Sequence, residues 1–167
     1  MEIKGYKAFN KDLTNRYNKP FEEGETYKVE GKLQYGNDGN GIHFCKRLED
    51  TLRYFDPNNL LIAAVTSLGD IIETEDSVYE YYNLYVTNIL RIDKILTREE
   101  IIEMFLDNNC LISVKRFVEQ FPLTEDEIKQ FKNNYQHNEE ILDAISYYQE
   151  NDKEVFNRKV KKKTRKD

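Results

Sequence analysis

Residues 96–105, LTREEIIEMF, mark the point at which the chain changes character. Thr97 and Glu100 stand at the spacing of a capping box, in which a hydroxyl and a carboxylate three residues apart satisfy the exposed amides of a helix start. A helix is therefore expected from Thr97. The arrangement returns in PLTEDEIKQF, where Pro122 stops one helix, Thr124 caps the next and Glu127 completes the box. Leu96, Thr97, Glu100 and Ile101 match Leu123, Thr124, Glu127 and Ile128 at an offset of 27, so residues 96–121 and 123–148 read as two weakly similar units, each a helical hairpin. Their second arms, Leu111 to Phe121 and Glu139 to Gln149, align Val114, Val118 and Phe121 with Ile141, Ile145 and Tyr148, a stripe that packed hairpins would bury.

Upstream of Thr97 the pattern is that of strands. Lys4 to Phe9, Thr26 to Glu30, Gly41 to Cys45, Leu60 to Thr66, Asp70 to Thr74 and Leu84 to Ile95 are short and mostly β-branched or aromatic. One amphipathic helix interrupts them: Leu48, Leu52 and Phe55 recur at helical spacing, with Arg47, Glu49, Asp50 and Arg53 outward, and Pro57 ends the run. The expected fold class is α+β, a mixed or antiparallel sheet domain over residues 1–96 followed by a small all-α region of helical hairpins over 97–150 and a flexible basic tail over 151–167.

Charge divides the chain in the same sense. Residues 153–167 carry eight Lys or Arg against two acids, which leaves residues 1–152 with 17 bases and 29 acids, a net −12. An acidic body repels phosphate backbones and suits basic protein surfaces, so no specific nucleic acid is expected as a partner. Cys45 and Cys110 are far apart and form no CxxC, which supports neither zinc nor a disulfide framework and fits a reducing cytoplasm. The start, MEIKGYKAF, lacks the apolar region of a signal peptide, and the apolar run LLIAAV is too short to span a bilayer, so no membrane association is expected.

The stretch YGNDGNGIHFC, Tyr35 to Cys45, is the most ligand-like loop. Gly36, Gly39 and Gly41 accept positive φ, as Asn37, Asp38 and Asn40 do better than most residues, so the run suits a tight or bulged turn. A phosphate cradle needs a helix N-terminus directly after the glycines, but here a strand, IHFC, follows, and neither common nucleotide fingerprint fits the spacing.

In order along the chain, KGYKAF, FEEGETYKVEG, GNGIHFCKRLEDTLRYF and RIDKILTREE resemble an uncharacterised domain family of phages and bacterial mobile elements, over roughly residues 3–100. The resemblance implies a small cytoplasmic accessory protein of a phage or prophage, a group in which inhibitors of host immunity are common. The segment GNGIHFCKRLEDTLRYF is also similar to the glycine-rich strand and following helix of the poly-ADP-ribose-polymerase-like transferases, where it helps form the NAD pocket. Gly39, Gly41, Ile42 and Phe44 match that pattern, and His43 takes the place of the family's tyrosine. Lys4, Gly5 and Tyr6 lack the histidine of that family's first strand, and Leu84 stands where its catalytic glutamate would be. Losing both polar partners removes the groups that stabilise a developing oxocarbenium ion, so the resemblance implies a degenerate scaffold used for binding.

No other catalytic constellation is expected. His43 and Cys45 share one face of a strand, but nothing nearby lowers the thiol's pKa, and a structural pair is the simpler reading. His137 sits in a polar connection, NYQHNEE, and reads as a solvated turn residue. In SVYEYYNLYVTN, Tyr79, Tyr81 and Tyr85 share one parity if extended, which gives either a buried aromatic layer or, with Glu73, Glu75, Asp76 and Glu80, an acidic and aromatic protein-binding surface.

Two functions follow as expectations. The first is a phage or prophage accessory protein without catalytic residues, cofactor or metal, which binds and blocks a host protein in the manner of an anti-CRISPR inhibitor. Its expected partner is a basic nucleic-acid-binding enzyme, met through Glu73, Glu75, Tyr79, Glu80, Tyr81 and Tyr85. The alternative is a transferase-like enzyme or sensor that uses NAD or another nucleotide, with Tyr6, Asn40, Gly41, His43 and Tyr54 as pocket residues.

Overall fold

The computed structural model describes residues 2–15, 19–35, 39–52, 60–75 and 83–151. These form a mixed α+β protein with a seven-stranded antiparallel sheet and five α-helices. They separate into two compact units: one holds the described residues up to Thr51 and from 60 to 96, the other Leu52 and the described residues from Thr97 onward.

The first unit is the sheet. Its strands are β1 (Ile3–Asn10), β2 (Thr26–Lys28), β3 (Ile42–Cys45), β4 (Leu60–Ser67), β5 (Ile71–Glu75), β6 (Asn83–Thr87) and β7 (Ile89–Ile95), in the order β2-β7-β4-β1-β3-β6-β5. β4 runs into β5 through only Leu68, Gly69 and Asp70, and β6 runs into β7 through Asn88 alone. The register passes from Ser67↔Leu90 to Ile71↔Thr87 across that point, so the four strands are one long antiparallel ribbon bent at a corner. The sequence expectation of one strand from Leu84 to Ile95 is thus corrected to two strands that meet at the bend. Polar groups hold the corner: the Asn88 carboxamide oxygen accepts from the Asp70 amide at 2.8 Å, the Thr87 hydroxyl donates to the Asp70 carbonyl at 2.8 Å, and the Ser67 and Thr87 hydroxyls lie 2.7 Å apart.

β1 lies along the β4 arm in eight matched pairs, and β3 lies along the β6 arm in four. One pair, Tyr6↔Cys45, joins β1 to β3 and brings the two arms together. Gly5 makes the approach possible, because a Cβ at that position would overlap the Cys45 carbonyl and the Phe44 ring. Phe9, Phe21, Ile42, Phe44, Ala63, Val65, Tyr85, Leu90 and Ile92 form the buried core, drawn from both arms, with Phe44 stacked on Tyr85 at 5.0 Å. Helix α1 (Leu48–Thr51) packs on β1 and β3. It is a single turn, and Glu49 and Asp50, expected to face outward, are 3% and 0% exposed. A turn packed against two strands has no solvent face, so helical spacing could not assign one. Phe55 and Arg53 lie outside the described residues.

The second unit holds α2 (Arg98–Leu106), α3 (Leu111–Val118), α4 (Glu125–Asn134) and α5 (Glu139–Ile145), whose last residues continue as a π-helical turn, Ser146–Asn151. Both capping boxes are present, Thr97 with Glu100 and Thr124 with Glu127. Phe105, Phe117 and Phe131 are buried in a row, with Phe105 and Phe117 stacked at 3.9 Å; of the expected stripe, Val114, Val118, Phe121, Ile141 and Ile145 are buried with them, whereas Tyr148 is only half-buried. The Arg98 guanidinium donates to both Glu127 oxygens, at 2.9 and 2.6 Å, and lies over the Phe121 ring. Burial alone would raise the Glu127 pKa, but these bonds and the Thr124 amide hold it below the usual glutamate value.

Two substitutions test these assignments. Gly5→Ala should lower the unfolding free energy by about 1–3 kcal/mol, because the β1–β3 approach has no room for a methyl group. Thr124→Ala should cost about 1 kcal/mol through the lost cap. Urea denaturation measures both.

Candidate functional site

β4 forms the floor of a groove of about 560 Å³ lined by Lys4, Gly5, Tyr6, Lys46, Ala64, Val65, Arg91 and Asp93. Its rows follow from the strand register. Lys4 on β1 stands opposite Thr66 on β4, which stands opposite Arg91 on β7; in the next row, Tyr6 stands opposite Ala64. Small residues on the middle strand leave a channel between the longer side chains on either side. Where β1 and β3 part after their single pair, Lys46 completes the lining.

A β-bulge shapes one wall. Val65 pairs with Ile92 and Ala64 with Lys94, so Asp93 is the extra residue on β7. Bulges of this kind re-aim a side chain. Here Asp93 accepts from the Arg91 Nε at 2.5 Å and from the Thr66 hydroxyl at 2.5 Å, with Thr66 wholly buried. The arginine is thereby oriented by a carboxylate that is itself held from below, and the hydrogen bond to Asp93, with its charge, raises the Arg91 pKa. Across the groove, burial and then the charge of Glu49 raise the Tyr6 hydroxyl above the usual tyrosine value. The lining carries three bases and one acid, in a body whose net charge is negative.

Among the described residues expected to form a nucleotide pocket, Tyr6 alone lines this groove. The Asn40 carboxamide instead donates to the carbonyls of Glu30 and Lys32, at 2.7 and 3.1 Å, and so ties down the preceding loop. Gly41 has φ +143°, and a Cβ there would overlap the Val86 side chain. His43 is half-buried with its ring 5.8 Å from that of Tyr35, and Cys45 on the same strand is buried. Tyr54 lies outside the described residues, as do Gly36, Asn37 and Asp38.

The expected acidic and aromatic surface is described only in part. Glu73 is exposed on β5, the last strand of the sheet order. Glu75 closes the same strand, opposite Asn83. Tyr85 is 5% exposed and stacked in the core, which corrects its place on a surface: it faces inward with Phe44 because β6 turns that parity to the interior. Tyr79, Glu80, Tyr81 and the basic tail from residue 152 lie outside the described residues, and His137 is exposed in the turn after α4. Lys46, Arg91 and Asp93 were not legible as site residues. Only RID, a base and an acid two apart on a strand, hinted that a polar pair shares a face.

The Tyr6 environment gives a pH test. Its folded-state pKa is raised, so the stability tied to its neutral form is fully present below pH ~10, where an unfolded tyrosine ionises, and is lost as pH rises through the folded value. Tyr6→Phe should lose less stability than the native chain above pH ~10 in parallel denaturation curves. Identical curves would contradict the buried setting of Tyr6.

No helix among the described residues is long and apolar enough to cross a membrane. Among the same residues, no group of three or more His, Cys, Asp or Glu side chains could hold a metal ion. No curated protein matches the chain. No solved structure matches it either. A family model described as a domain of unknown function, DUF7666, matches residues 3–103, which take in all seven strands and the first residues of α2. As that match spans well over half of the chain, the protein belongs to the DUF7666 family.

Proposed function

We propose that the protein is a non-catalytic accessory protein, of the phage or prophage type, that captures and blocks a basic host protein such as a nucleic-acid-binding enzyme of a defence system. The observation that carries this reading is one edge of the sheet: β5 ends the strand order opposite β2, and it bears exposed Glu73, with Glu75 two residues on. A sheet edge offers main-chain groups to an incoming strand, and acids beside it select a basic partner and speed its approach. The excess of acids over bases in residues 1–152, 29 against 17, acts in the same sense.

The proposal assigns the protein no cofactor and a cytoplasmic site of action in a bacterial host. It includes a finer reading of the fold, a degenerate ADP-ribosyltransferase-like sheet followed by two helical hairpins. The bent two-armed sheet and the capping boxes that open α2 and α4 support it. The rival, an enzyme or sensor with NAD in the Gly36–Phe44 loop, has less behind it, because Asn40 and Gly41 serve the local backbone.

The test is capture of proteins from a bacterial lysate by the immobilised chain, repeated with Glu73→Lys and with Glu75→Lys. Each reversal should reduce recovery of a basic partner by on the order of tenfold, and added salt should do the same. A partner captured equally by the native and reversed chains would sink the edge as the contact.

A further inference from the structure

We propose that the groove over β4 is a second binding site, for a small phosphate-bearing anion, separate from the β5 edge. Three features argue for it together. First, Lys4, Lys46 and Arg91 converge on one groove of about 560 Å³, a volume in the range of small-molecule sites, in a body that otherwise carries excess negative charge. Against these three bases stand Asp93 in the lining and the charge of Glu2 on Arg91, so the balance of nearby charge is positive and favours anions.

Second, Arg91 is pre-oriented. Its Nε is taken by one Asp93 oxygen while the other Asp93 oxygen accepts from buried Thr66, and the bulge puts Asp93 where it can do this. That bond engages Nε, and in the proposed complex it is the terminal nitrogens of the guanidinium that fork onto phosphate oxygens. A carboxylate already bonded at both oxygens repels an incoming anion less than an open one would.

Third, the register sets the spacing of the charges. Lys4 and Arg91 flank Thr66 in one row, so their Cα atoms lie two strand spacings apart, about 9–10 Å. Long side chains on either side can close on one phosphate or diphosphate lying over the small side chain of Ala64. Lys46 enters from the end of β3, so a bound anion bridges β1 and β3 where only the Tyr6↔Cys45 pair joins them.

The experiment is isothermal titration of the full chain at fixed ionic strength with inorganic pyrophosphate and with adenosine monophosphate. The native chain should bind at least one of them with one-to-one stoichiometry. Lys4→Glu and Lys46→Glu, at exposed positions that leave the core untouched, should each weaken binding at least tenfold while keeping the native thermal midpoint. Arg91→Lys should weaken it by loss of the fork. Lys28→Glu, exposed on β2 and outside the lining, should leave it unchanged. Absence of binding at millimolar ligand would overturn the site, as would equal weakening by Lys28→Glu, or binding of a single-stranded oligonucleotide in place of the two small anions.

Discussion

The sheet depends on one close approach, that of β1 to β3 at Gly5. Eight pairs tie β1 to β4 and four tie β3 to β6, yet a single pair, Tyr6↔Cys45, links these two halves. Beside it Phe44 comes so near Gly5 that no side chain fits, and the same ring stacks on Tyr85 in the core. One ring, Phe44, therefore serves both the strand approach and the core. The bend at Asn88 brings the arms round, and the missing side chain at Gly5 lets them meet. Because the strands part just beyond that pair, the same constraint shapes the end of the groove at Lys46.

What was legible in the sequence was what is local. Thr97 with Glu100, and Thr124 with Glu127, form their boxes as read, since a capping box needs only neighbours three residues apart. The strand positions were also legible, because β-branched and aromatic runs declare themselves. The corner was not: Leu84 to Ile95 reads as one strand, and only tertiary hydrogen bonds to Asp70 reveal that Asn88 divides it. Glu49 and Asp50 failed for a related reason, since a one-turn helix wedged on β1 and β3 gives helical spacing no solvent face to assign.

The candidate sites show the same limit. Tyr6 was picked out, but its neighbours Lys46, Arg91 and Asp93 reach it only through strand register and a bulge, neither of which a linear pattern encodes. The glycine-rich loop drew attention for its composition, whereas in the fold Asn40 and Gly41 answer backbone demands. Sequence composition showed an acidic body and a basic tail, but the basic groove over β4 was no part of that reading. An acidic edge at β5 and a basic groove over β4 belong to one sheet, so the two proposed sites rest on different residues.

The most direct test of the closure is the proton NMR spectrum of Gly5 in the native chain. If Phe44 lies against it, the Gly5 α-protons are displaced from their usual shifts by the ring and show through-space contacts to the Phe44 ring protons. Unperturbed shifts with no such contacts would mean that β1 and β3 do not meet, and the account of the sheet, core and groove built on that meeting would fail.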